Sequence, residues 1–190
     1  VFTEEVYNEF ARLSVKSAKA ITRDDIQTMK ELIQKLKKNT RLPPHSGVRF
    51  IGDNFGDRGC CDYWTLLVYQ QLDQQGVPFC ELFSNHTFDF LKQCFAGAQS
   101  DLGPMQARSS LALQILFKKG LIEFDEMHQL VVQYLLPKLR LIDGEWSEEH
   151  QQLVLYSHAP APLDSVFELA KQLKIPVRPR LNPTDFLKTV

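Results

Sequence analysis

The sequence has no excess of either charge, no apolar run of membrane-spanning length and no cysteines at zinc-binding spacing. Lys and Arg number 22 against 23 Asp and Glu, so the global charge points neither to nucleic acid nor to a membrane surface. No apolar run approaches the length of a membrane span, and the opening residues do not have the pattern of a signal peptide. Cys60, Cys61, Cys80 and Cys94 lack the CxxC spacing of a zinc site. A bridge between adjacent Cys60 and Cys61 would be strained, so four reduced thiols in a cytosolic environment are expected. The stretch Gly47–Gly59 holds no Gly-Lys followed by Ser or Thr, which excludes a phosphate-cradling P-loop there. Starting at Val1 and stopping mid-pattern at Thr189-Val190, the chain reads as a fragment of something longer.

What is present is enough for one core. At 190 residues and 44% hydrophobic, a single domain over 1–190 is the simplest count. Its organising stretch is Val48–Leu66, VRFIGDNFGDRGCCDYWTL. An apolar run (Val48, Phe50, Ile51) stops at Gly52-Asp53, passes through a polar loop to Asp57-Arg58-Gly59, and re-enters a helix-spaced segment. Strand, polar turn and helix place two aspartates and an arginine at a strand end, where open α/β sheets bind their ligands.

The same unit then recurs. Before it, residues 2–39 read as two helices, the second opening at Thr22 with Asp25 three positions on, as in a capping box. Asp62–Gln75 is the helix after the turn, ended by Gly76. Val77–Phe83 (VPFCELF) is a second strand, with Ser84-Asn85-His86 at its end and a helix from Thr87 to about Phe95. Two such units in succession suggest parallel α/β layers. Helices over 104–119 and 124–136 read as a helical insertion. Leu139–Ile142 and Leu153–Ser157 read as hairpin strands around a polar loop, Asp143–Gln152, and the second ends in Ser157-His158-Ala159-Pro160. A helix over 162–173, a short strand over 175–180 and a last helical turn over 183–187 complete the pattern.

Three strand ends thus present Asp53 with Asp57 and Arg58, then Asn85 with His86, then His158. One carboxylate, one amide oxygen and imidazoles suit a divalent ion such as Mn²⁺, Fe²⁺ or Zn²⁺. Two such ions about 3.5–4 Å apart can together activate a water and neutralise a phosphoryl oxyanion. Asp53, with two oxygens, would bridge them, and Asn85 and His158 would complete one shell. His86 would stay off the metals, oriented by Asp57, and protonate the leaving oxygen. Arg58 would grip the phosphate through two donors. Cys60 and Cys61 are poor nucleophile candidates, since Leu66 and Leu67 stand where the cysteine-phosphatase arginine would be.

GDNFGDRG (52–59), SNH (84–86) and SHAP (157–160) resemble the GDxxDRG, GNHE and HGG blocks of metal-dependent phosphoprotein phosphatases, part of the calcineurin-like metallophosphoesterases. The 32-residue step from Asp53 to Asn85 suits that family. The chain is more closely similar to the Wip-type effector phosphatases that intracellular bacteria inject through type IV systems, whose blocks read GDxxADRGxNDYxTL, LSNH and a strand ending YSHAP. Asp62–Leu66 and Tyr156–Pro160 carry that closer likeness, which covers about residues 48–175. It implies a β-sandwich flanked by helices, with the lead-in 1–40 and the insertion 104–136 added. It also implies two divalent ions, manganese first, and a phosphorylated host protein as substrate in the host cytoplasm. Three departures stand out. Nothing before Val48 matches the family's first metal-binding block, GDxHG, and Thr87 stands where most relatives have glutamate. A later metal-binding histidine, expected well after His158, is also missing. Two alternatives follow: a phosphodiesterase or nuclease with the same metal site, and a non-enzymatic interaction module that keeps the fold. Whether phosphoserine, phosphothreonine or phosphotyrosine is preferred is not legible in the sequence.

Overall fold

The structure, a computed structural model, describes residues 3–39, 47–57, 62–96, 108–160, 168, 171 and 172. Helix α1 (Glu4–Ser14) starts where the Thr3 hydroxyl accepts the Val6 N–H at 3.4 Å, with Glu4 and Glu5 in the favoured first turn. Helix α2 (Arg23–Asn39) opens on the expected capping box: Thr22 N–H donates to Asp25 Oδ2 at 2.8 Å and Asp25 N–H returns to Thr22 Oγ1 at 3.2 Å. Burial works to raise the Asp25 carboxyl, but the Lys16 ammonium 2.6 Å away and both Thr22 donors outweigh it and hold it at about 2.

The repeated unit builds a parallel sheet. Strands β1 (Val48–Phe50), β2 (Phe79–Leu82) and β3 (Leu139–Arg140) lie in that order, with Val48 opposite Phe79 and Glu81 opposite Leu139. Helices α3 (Asp62–Gln74) and α4 (Asn85–Ala96) follow β1 and β2. One buried cluster joins Leu13, Met29 and Ile33 of the lead-in to Tyr63, Leu66 and Tyr69 of α3 and to Leu116 and Leu135 beyond. Each such side chain contributes about 1.5–3 kcal/mol by leaving water.

Three expectations are corrected. The hairpin pairs β4 (Asp143–Ser147) with β5 (Gln152–Tyr156), and Leu139–Arg140 instead extends the parallel sheet. Asp143-Gly144 reads as a turn by composition, yet Arg49 of β1 bonds Asp143, reaches Glu145 at 3.5 Å and lies 3.8 Å from the Tyr156 ring centre, which neutralises the acidic strand. Helix α4 begins at Asn85, two residues early, because Ser84 caps it: its Oγ accepts the Thr87 N–H at 3.0 Å. The expected helix 124–136 is α-helical only over α6 (Phe124–Leu130), then widens to a π-turn over Val131–Leu135 and tightens at Leu136–Lys138. Pro137 explains the widening, since its ring would collide with the carbonyl one α-turn back. Helix α5 (Arg108–Lys118) covers most of the expected 104–119. Of the helix expected over 162–173, Glu168, Lys171 and Gln172 are described and helical. The elements expected over 175–187, with Arg58, Cys60 and Cys61, lie outside the described residues, while Cys80 and Cys94 are free thiols.

Candidate metal and catalytic site

The loop after β1 is shaped by what approaches it. Gly52 has φ +90°, and a Cβ there would sit 2.5 Å from His158 Nδ1 and 3.1 Å from the Leu82 carbonyl oxygen. Gly56 has φ +69°, and a Cβ there would sit 2.8 Å from the His86 carbonyl oxygen. Each glycine therefore makes room for a segment that carries one of the histidines. Between them Asp53 holds φ +58°, which Asp tolerates better than most residues but which costs free energy. Phe55 repays that strain: it is fully buried, with its ring 4.7 Å from Phe90 and 5.5 Å from Tyr69, and pins the loop to the core.

The loop, the start of α4 and the end of β5 bring four of the expected residues together. One ligating atom from each of Asp53, Asp57 and His86 lies within 4.8 Å of the others. His158 Nε2 lies 3.4 Å from Asp53 Oδ1. Asn85 follows Ser84, whose Oγ accepts the Asp53 N–H at 3.1 Å, but its own side chain is exposed on the first turn of α4. Arg58 lies outside the described residues.

Both imidazoles are oriented by the same loop. His158 Nδ1 is 2.9 Å from the Ile51 carbonyl and His86 Nδ1 is 3.1 Å from the Gly56 carbonyl. A carbonyl only accepts, so each Nδ1 carries the proton, and in the neutral ring each Nε2 presents a lone pair. His158 thereby aims a lone pair at Asp53 Oδ1, a buried oxygen with no hydrogen-bond partner. Two acceptors facing each other at that distance are unfavourable unless a proton on His158 Nε2 or a metal cation lies between them. The donor set of carboxylates and imidazoles fits a divalent ion of the Mn²⁺ to Zn²⁺ type.

Beneath the site lies a polar layer that sequence reasoning missed. Glu81, in the middle of β2, is fully buried and accepts from Tyr69 Oη at 2.6 Å and Asn54 Nδ2 at 2.7 Å. Burial raises its pKa, and Tyr69, Asn54 and Thr87 oppose that shift by donating to it. The one available signal was a lone carboxylate in the apolar run VPFCELF. Asp62, first residue of α3, is wholly buried and takes the Gly56 N–H at 3.2 Å. Burial pushes its carboxyl up to about 7, with the Gly56 N–H and the Ser109 hydroxyl opposing. A cleft of about 330 Å³ opens beside Asp53 and Asp57, walled by Phe10 of α1 and by Trp64, Thr65 and Val68 of α3.

A mixed α/β layer with carboxylates and imidazoles at the ends of its strands is a fold seen among phosphatases. The crystal structure of the phosphatase domain from the Legionella effector WipB superposes on the chain with a TM-score of 0.78 at 24% identity, covering 100% of this chain and 68% of that one. The family model of the WipA-like phosphatase domain matches residues 47–189, and the chain belongs to that family of hydrolases. No curated protein matches the chain. The lead-in helices α1 and α2 precede the matched region, yet α1 walls the cleft beside the site.

Proposed function

We propose that the chain is a metal-dependent phosphatase domain of the phosphoprotein phosphatase type, a variant of the calcineurin-like metallophosphoesterase sandwich. Its substrate is a phosphomonoester on a host protein, and it acts in the host cytoplasm as part of a secreted effector. The observation that carries this reading is the buried, partnerless Asp53 Oδ1 facing His158, with one ligating atom each of Asp53, Asp57 and His86 gathered within 4.8 Å of one another. Family membership supplies the reaction class.

In this reading Asp53 and His158, joined by Asn85 if its exposed side chain turns inward, would hold the divalent ions, manganese in the first instance. Bound there, such ions would acidify a water and neutralise charge on the phosphoryl oxygens. The Gly56 carbonyl orients His86 through Nδ1, which leaves Nε2 to give its proton to the departing oxygen, with the Asp57 carboxylate close by. Arg58 binds the phosphoryl oxygens through two donors. Phe10 and Trp64 line the cleft beside these groups.

Hydrolysis of p-nitrophenyl phosphate with added Mn²⁺, in the wild type and Asp53→Asn, tests the proposal. Turnover should require the ion and fall by more than about a hundredfold in the variant, beyond the loss typical of outer-shell changes. Equal rates in both would remove the role assigned to Asp53. Mn²⁺ binding without turnover would favour the interaction-module alternative.

A further inference from the structure

Glu81 is an ionisable group buried for no evident folding benefit. Its neighbours in β2, Phe79 and Leu82, are apolar core residues, and a buried carboxylate costs several kcal/mol unless its oxygens are satisfied. They are satisfied by three donors: Tyr69 Oη at 2.6 Å and Asn54 Nδ2 at 2.7 Å on Oε2, and Thr87 Oγ1 at 3.4 Å on Oε1. Two of these donors are chain neighbours of the candidate site. Asn54 follows Asp53, and Thr87 follows His86.

The hydroxyls between them can be ordered without ambiguity. Ser84 Oγ accepts the Asp53 N–H at 3.1 Å and the Thr87 N–H at 3.0 Å, which uses its two lone pairs. Its own proton must then go to Thr87 Oγ1 at 2.9 Å, and the Thr87 proton goes on to Glu81. The loop of Asp53 and the first turn of α4 are thus tied twice, through Asn54 and through the Ser84–Thr87 chain, and both ties end on one carboxylate. Tyr69 anchors that carboxylate to α3.

We propose that Glu81 is a positioning residue, a buried carboxyl group that clamps the Asp53 loop to the His86 turn and so sets their separation before any ion binds. The inference rests on the metal-site reading and deepens it. The length of the Glu81 arm matters more than its charge, because Oε1 and Oε2 must reach different elements.

The test compares the full chain with Glu81→Gln, Glu81→Asp and Thr87→Val. Mn²⁺ affinity is read from the electron paramagnetic resonance signal of the free ion, and the His86 tautomer from its ring ¹⁵N shifts in metal-free protein. Glu81→Asp keeps the charge but is one methylene too short to span Asn54 and Thr87. It should lose about tenfold or more in Mn²⁺ affinity, the loss expected when the support of a metal ligand goes. Its His86 ring should shift from a single Nδ1–H form to a mixture. Glu81→Gln, with the arm intact, should lose less. Thr87→Val, nearly isosteric, cuts only the helix-side tie, should weaken Mn²⁺ severalfold, and decides the matter if the Asp variant does not fold. A Glu81→Asp variant that binds like the wild type while Glu81→Gln does not would overturn the proposal in favour of charge alone. Variants that lose thermal stability with unchanged affinity and an unchanged His86 spectrum would overturn it in favour of a purely structural role. A wild type that binds no Mn²⁺ refutes the metal reading instead, and the His86 spectra then decide the role of Glu81 by themselves.

Discussion

Replacing Gly52 by alanine separates backbone strain from the close approach of His158. Alanine at a left-handed φ costs about 1–2 kcal/mol wherever it is placed. At Gly52 the new methyl would also lie 2.5 Å from His158 Nδ1 and 3.1 Å from the Leu82 carbonyl oxygen. The carbonyl belongs to the sheet, so the imidazole must move and lose its 2.9 Å hydrogen bond to Ile51, worth about 0.5–1.5 kcal/mol. The sum is about 1.5–3.5 kcal/mol. Gly76 is the control, with φ +67° and nothing within 4 Å of the place a methyl would take, so Gly76→Ala should cost only the strain. Denaturant unfolding of both variants should therefore place Gly52→Ala about 0.5–1.5 kcal/mol below Gly76→Ala. Equal losses would refute the claim that His158 packs against the loop.

Asp62 should give the fold a pH dependence, since its carboxyl sits at about 7 in the folded chain against 3.8 when unfolded. Between those values the folded state holds a proton that the unfolded state has lost, so stability falls as pH rises from about 4 to about 7 and levels off above. Asp62→Asn cannot titrate, and the wild type's stability relative to the variant should fall by a few kcal/mol across that window. A difference that does not vary with pH in unfolding experiments would contradict it. Arg49→Met removes the guanidinium from Asp143, Glu145 and the Tyr156 ring, which should cost about 1–3 kcal/mol and speed amide exchange in β4 and β5. A double-mutant cycle with Asp143→Asn that shows no coupling would mean that this pair does not hold the hairpin.

Local signals were legible wherever the deciding neighbours are close in the chain. The Thr22–Asp25 capping box, the stop at Gly76 and the two strand–turn–helix units all form between residues a few positions apart. The parallel pairing of β1 with β2 followed from their helical connection. Polar Asp143–Ser147 has no local reason to be a strand. Arg49, 94 positions away, supplies that reason. The start of helix α4 is ambiguous in the sequence because a cap needs only one hydroxyl, and Ser84 fits the end of a strand as well as the start of a helix.

The candidate site divides along the same line. Residue types and their order along the chain were enough to nominate Asp53, Asp57, His86 and His158, because strand ends announce themselves through periodicity and turn residues. The sequence could not say that His158 faces Asp53, that Asn85 stands exposed, or that Glu81 lies beneath the loop. Those facts depend on which segments share space once the apolar side chains are buried. Composition and spacing therefore determined the chemistry on offer, and packing between residues about 30 to 100 positions apart decided which groups meet, because burial and hydrogen-bond satisfaction act across space without regard to chain order.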